Sequence, residues 1–269
     1  MRYIELDQAD VDVLQTGIVT NGSLGAIITN CNFENNVEDG IDIDEHDGGD
    51  VFVSMVEVDC DLNGEENIDI EELADGSVDV DMSYCTSTYA VGDTFQIEER
   101  GDGSVDVDMS YCTSTYAGTD GFQITEFGAG SVDVDMSYCA FAHSEEDAFK
   151  IRADATGNVT VNLDNCYILG ADDDGFDCRG YHDPPTHPVT YIGVTNVTLT
   201  DCYVQGNSGN GIIIDPSDVD PSNDDGTLNI PDTEDSEVED YQGNGDNLDI
   251  DDDNDDGGTM CLEGFAGQL

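Results

Sequence analysis

Gly76 to Ala90 reads GSVDVDMSYCTSTYA, Gly103 to Ala117 repeats it letter for letter, and Gly130 to Cys139 repeats its opening GSVDVDMSYC. Within the first copy Val78, Val80 and Met82 alternate with Asp79, Asp81 and Ser83, the period of a strand with one apolar and one polar face. The copies start at Gly76, Gly103 and Gly130, an equal spacing that sets the period of the chain. Working outward, Cys31, Cys60, Cys85, Cys112, Cys139, Cys166 and Cys202 follow one another at 29, 25, 27, 27, 27 and 36 residues, so seven units share one template, the second being two residues short. Ten and twelve residues after the cysteine a second strand is expected, as in Ile41 and Ile43, Phe95 and Ile97, Phe122 and Ile124, Phe149 and Ile151, Phe176 and Cys178, or Ile212 and Ile214; the second unit supplies Ile68 and Ile70. Turn formers separate the strands, among them Asp39-Gly40, Asp120-Gly121 and Asp174-Gly175. Short strands, apolar columns at fixed phase and the lack of helical periodicity predict an all-β chain wound as a parallel β-helix solenoid of about seven to eight coils. At about 4.8 Å per coil the seven units make a rod of roughly 34 Å.

Asn158 to Cys178, NVTVNLDNCYILGADDDGFDC, and Asn196 to Asp215, NVTLTDCYVQGNSGNGIIID, resemble right-handed parallel β-helix repeats of the pectate-lyase-like superfamily. The resemblance covers Leu24 to Asp215 and implies fold more than activity. Enzymes of that superfamily cleave acidic polysaccharides on an outward strand face, lyases with carboxylate-held calcium and an Arg or Lys base, hydrolases with aspartates from neighbouring coils. Glu38-Asp39-Gly40-Ile41-Asp42 is only faintly similar to the hydrolase signature, no Gly-His-Gly triplet occurs, and Lys150-Ile151-Arg152 reverses the R-x-K order of the motif. Leucine-rich repeats and the glycine-rich calcium roll lack their patterns here.

Charge sets the solvent. With 63 Asp and Glu against five Lys and Arg the formal charge is −58, which excludes a grip on nucleic acid through phosphates and on an acidic membrane surface. Self-repulsion on that scale asks for salt, since at about 1 M the screening length shrinks to roughly 3 Å. The composition is similar to that of proteins from salt-loving archaea and their viruses. A calcium-loaded acidic protein is the rival, because hard cations bind oxygen ligands. No apolar run reaches the length of a membrane-spanning helix, and MRYIELDQADVD has no signal-peptide pattern. The expected location is extracellular, at a cell surface or on a virion, with the cytoplasm left open.

Three segments follow: residues 1–23 as a partial coil or cap, 24–215 as the β-helix, and 216–269 as an acidic extension with one last loose coil. In that extension Asp252, Asn254, Asp256, Gly257 and Glu263 fit the D-x-N-x-D-G-x5-E calcium loop, a match that arises easily in a chain so rich in Asp. No cofactor is required, and calcium is the one to consider. The cysteine column is expected to be core, as is Cys178, with Cys261 outside the pattern. Asp79, Asp106 and Asp133, and beside them Asp81, Asp108 and Asp135, form outward acid columns.

The scarce cations carry the site expectation. Arg152 and Arg179 share a column on adjacent coils, Lys150 lies two residues before Arg152, and Asp177 sits beside Lys150. The insertion YHDPPTHPVTY adds Tyr181, His182 and His187. These seven residues make the candidate ligand site, and Asp177, Arg152, Arg179 and His182 the candidate catalytic groups; an ion-pair cluster relieving the acids is the alternative. The sequence leans towards a non-catalytic structural or adhesive rod that takes a glycan or other surface polymer, and can self-associate through its open ends. The alternatives are a lyase or hydrolase of acidic glycans and a calcium-dependent assembly module.

Overall fold

Alternation does what it promises in the repeated strand: Val78, Val80 and Met82 are buried while Asp79 and Asp81 are exposed, and the copies Val105–Ser110 and Val132–Ser137 repeat the pattern. The computed structural model describes residues 2–7, 10–11, 14–18, 22–153, 157–180, 194–200, 202–209 and 211–215, together with the strands Thr227–Ile230, Glu237–Val238, Leu248–Asp249 and Cys261–Leu262. Among the described residues every element is a strand. Three parallel sheets of ten, nine and nine strands form, each strand pairing with those one coil before and after it. Sheet 1 holds strands such as Val78–Ser83, sheet 2 the three-residue strands such as Thr86–Thr88, and sheet 3 strands such as Phe95–Glu99. The fold is a parallel β-helix in which one coil is one sequence repeat: Val78 stands beside Val105 and Val105 beside Val132. The stacking runs on at both ends, for Arg2–Asp7 pairs with Leu24–Thr29 and Thr227–Ile230 with Val194–Thr200.

The core is a set of columns. Ile41, Ile68, Phe95, Phe122, Phe149, Phe176 and Ile212 line one, and the rings of Phe122, Phe149 and Phe176 stack at 5.1 Å. Burying each such side chain is worth about 1.5–3 kcal/mol, so a coil gains mainly from its inward triplets.

Two corners separate sheet 1 from sheet 2 and sheet 2 from sheet 3, and each turns on a single left-handed residue. At the first these are Asn30, Glu57, Tyr84, Tyr111, Tyr138 and Asn165, with φ of 52, 55, 57, 56, 55 and 53°. At the second they are Asn35, Leu62, Tyr89, Tyr116 and His143, then Gly170 and Gly206. This frame corrects the cysteine count. Val58, not Cys60, follows Glu57 at the place of Cys31 and Cys85, and its carbonyl accepts from Thr86 as that of Cys85 accepts from Thr113. Cys60 pairs instead with Phe33 and Ser87 in sheet 2. The second unit therefore has the full repeat length, with Ile68 beside both Ile41 and Phe95. Its apparent shortness arose because a valine replaces one cysteine and a cysteine stands two places on.

The eight cysteines from Cys31 to Cys202 are free and buried. Along the column each thiol donates back to a carbonyl two residues earlier, Cys31 to Thr29 at 3.2 Å and Cys112 to Ser110 at 3.4 Å.

The third corner, from sheet 3 to the next coil, is built from glutamate and glycine. Glu45, Glu72, Glu99 and Glu126 recur once per coil and are at most 1% exposed. Each carboxylate accepts backbone N–H groups two and four residues on, as Glu126 does from Gly128 at 2.7 Å and Gly130 at 3.2 Å. Glycine is required where coils touch: a Cβ on Gly130 would lie 1.3 Å from the carbonyl oxygen of Gly103.

Candidate functional site

Sheet 3 carries the charged face. Its outward positions form two columns, Asp42, Asp69, Gln96, Gln123, Lys150 and Asp177 in one, Asp44, Glu71, Glu98, Thr125, Arg152 and Arg179 in the other. At the turn just before them Asp39, Glu66, Asp93, Asp120, Asp147 and Asp174 make a third column. Here a side chain accepts the backbone N–H of the next coil, Asp93 from Asp120 at 2.7 Å and Asp120 from Asp147 at 2.9 Å. The ladder needs an acceptor at that point, which is why the acid recurs.

The expected cations do meet. Register sets Arg152 against Arg179 and Lys150 against Asp177. Asp177 is fully buried, and Arg152 Nη2 reaches its Oδ2 at 2.6 Å while Arg179 donates Nε to Oδ1 at 2.6 Å and Nη2 to Oδ2. Burial pushes the Asp177 carboxyl up, but the two guanidiniums more than offset it and hold it below the usual carboxylate range. Lys150 turns the other way: its Nζ lies 2.9 Å from Asp120, 3.4 Å from Asp147 and 3.7 Å from Glu146. All three cations are thus committed to buried aspartates of this face, and each is at most one-third exposed. Tyr181, His182 and His187 lie outside the described residues, as do Asp252, Asn254, Asp256 and Glu263.

The earlier coils of the same face carry the acids without these three cations, Arg100 standing 2.6 Å from Glu98 farther along it. Asp39, Glu66 and Asp69 each bring a carboxylate oxygen within 4.8 Å of the others, and among the described residues no ion pair joins any of them to Lys, Arg or His. Burial, then the neighbouring carboxylates, pushes Asp69 up to about 9; burial and Asp39 push Glu66 to about 7. A set of hard oxygen donors from successive coils is chemistry that fits calcium. Asp147, Asp173 and Asp174 form a second such group, already faced by Lys150 and Arg179. Sequence reasoning read Asp39, Asp120 and Asp174 as turn formers only, and passed over the buried glutamates. An acid recurring once per repeat next to glycine was the available signal, hidden by the number of other acids.

The sheet 1 columns are in the expected register, Asp79 with Asp106 and Asp133, Asp81 with Asp108 and Asp135. Asp81, Asp108, Asp135 and Asn162 line a shallow groove on that face.

No protein-family model and no curated protein matches the sequence. Among solved structures the chain is similar to pectate lyase Pel9A, at a TM-score of 0.45 and 10% identity over 88% of this chain and 70% of that one.

Proposed function

We propose that this chain is a non-catalytic structural and adhesive β-helix, a rigid rod of a haloarchaeal cell surface or virus particle that works in concentrated salt. The single observation carrying this reading is the commitment of Lys150, Arg152 and Arg179 to buried aspartates. A lyase base must be free to take a proton, whereas these groups neutralise the ladder that supports the coils. Near-identical coils point the same way, since copying lengthens a rod without building a unique centre. The test is incubation in multi-molar KCl with acidic and neutral glycans, with and without calcium. Binding without chain cleavage is expected; cleavage lost in Arg152→Ala or Arg179→Ala would overturn the structural reading in favour of a polysaccharide lyase. The enzyme reading draws on Arg179, the most open of the three cations, standing immediately before the inserted segment. A calcium-dependent assembly module is favoured only by Asp39, Glu66 and Asp69 and predicts that a chelator at fixed ionic strength changes the sedimentation coefficient.

A further inference from the structure

One face of this acid rod carries neither carboxylate nor Lys or Arg across three coils. Sheet 2 presents outward Thr86 and Thr88, then Thr113 and Thr115, then Ala140 and Ala142. Two aromatic ladders flank it. Tyr84, Tyr111 and Tyr138 stack on one side with centroids 5.0 and 4.9 Å apart, and Tyr89, Tyr116 and His143 on the other at 4.7 and 5.1 Å. The five tyrosines are 47–56% exposed, whereas the phenylalanines of the core column, such as Phe95 and Phe122, are buried. The face stops at Glu57, Asp59 and Asp61 in the coil before.

Every one of these tyrosines holds a left-handed backbone, a conformation disfavoured for a bulky side chain. Outside the ladders the same two places are held mostly by Asn30, Asn165, Asn35, Gly170 and Gly206, with Glu57 and Leu62 in one coil. Such strain concentrates where a side chain serves more than the fold. Rigid exposed aromatic edges beside rows of hydroxyls recognise groups that are apolar on one side and hydrogen-bonding on the other, at little conformational cost.

Charge selects the occupant. A polyanion meets the bordering columns of Asp81, Asp108 and Asp135, and a polycation is drawn to those columns rather than to this face. We infer that the Tyr–Thr face is a docking surface for a neutral glycan, an uncharged polyhydroxyl chain lying along the solenoid axis over Tyr84, Thr86, Tyr111, Thr113 and Tyr138. This rests on the adhesive reading above and names its site and ligand class.

The experiment titrates uncharged cello-, chito-, malto- and manno-oligosaccharides, with polygalacturonate as the acidic control, into the full chain in multi-molar KCl. Calorimetry and tyrosine emission follow it, the latter clean because Trp is absent. At least one neutral series is expected to bind, with little dependence on salt, and a triple Tyr84→Asn, Tyr111→Asn, Tyr138→Asn variant to bind at least tenfold more weakly. Asn already occupies this turn at Asn30 and Asn165, so the variant should keep its circular dichroism and melting temperature. As a second variant, Thr86→Val with Thr113→Val should weaken binding while leaving the aromatic ladders in place. Neutral-glycan binding untouched by both variants overturns the face and leaves the adhesive reading standing. Tyrosine-dependent dimers with no glycan binding assign the face to a second copy and overturn the ligand class. No binding of any glycan, acidic or neutral, overturns both readings.

Discussion

The two halves of the sheet 3 face share a backbone, a register and an acid ladder, and differ in how the charge is settled. From Asp120 to Arg179 each buried aspartate meets Lys150, Arg152 or Arg179. From Asp39 to Asp69 the carboxylates face one another, and burial raises the proton affinity of Glu66 and Asp69 with no cation paired to them, whereas at Asp120 and Asp147 Lys150 opposes the same effect of burial. Backbone requirements put an acid at the turn of six successive coils, Asp39 to Asp174; neutralising it is a separate task, helped by cations in one half and left to protons, salt or a metal ion in the other.

The most disruptive way to break this contrast is Lys150→Ala. It strips Asp120 and Asp147 of their ammonium, and leaving buried charge unpaired costs about 3–5 kcal/mol. In a chain of this length the melting temperature should fall on the order of 10 °C at pH 7. Part of the loss should return on acidification, because the later half would then behave as the earlier one does. An unchanged melting temperature would mean that the ion pairs do not hold the coils.

Asp69→Asn should act in the opposite direction. The folded chain keeps a proton on Asp69 up to about pH 9, whereas an unfolded chain releases it near 3.8. Stability from this group is therefore full below pH 3.8 and falls as pH rises towards 9. The amide removes that loss, so the variant should be more stable at pH 8, by roughly 1–2 kcal/mol, and no more stable at pH 3.5. Urea unfolding at the two pH values checks this; equal effects at both would show that Asp69 is ionised in the fold.

Glu126→Gln is the same experiment one corner away. Burial pushes Glu126 up to about 8 from 4.5, and the amide oxygen still accepts from Gly128 and Gly130. A gain of about 1 kcal/mol is expected at pH 8, vanishing below pH 4.5. If the variant is instead destabilised, the column is anionic and each carboxylate is needed as such.

Smallest is the effect of calcium at constant ionic strength. At a concentration equal to its dissociation constant a single ion adds about 0.4 kcal/mol, and the gain should disappear in Asp69→Asn while surviving in Lys150→Ala. A gain of the same size in all three proteins would place calcium elsewhere.

Much of this was legible in the letters. Exact copies fixed the period, and alternation in Val78, Val80 and Met82 fixed which side faces in, because strand geometry leaves only two faces to choose between. The Arg152 and Arg179 column followed from counting alone. Counting from cysteines failed at Cys60, since packing treats Val58 and a thiol alike, whereas the left-handed turn at Glu57 sets the register. The glutamate column escaped because its reason is backbone amides at a corner, a demand with no apolar periodicity to announce it. The ion pairs could not be read either: Arg152 and Asp177, or Lys150 and Asp120, meet only once the coil length is known in space.

The third corner has one further consequence. Gly76, Gly103 and Gly130 lie directly over one another, with room for nothing but backbone, and identical residues flank each of them on the strand side. Moving along the rod by one coil is thus close to a symmetry operation of the sequence itself. Excising residues 104–130 would join Gly103 to Ser131, a bond between neighbours that already exists at Gly103 and Ser104. Recombination between copies can therefore shorten or extend the molecule by whole coils, making reach a quantity that varies by unequal exchange while the contacts in every remaining layer stay as they were.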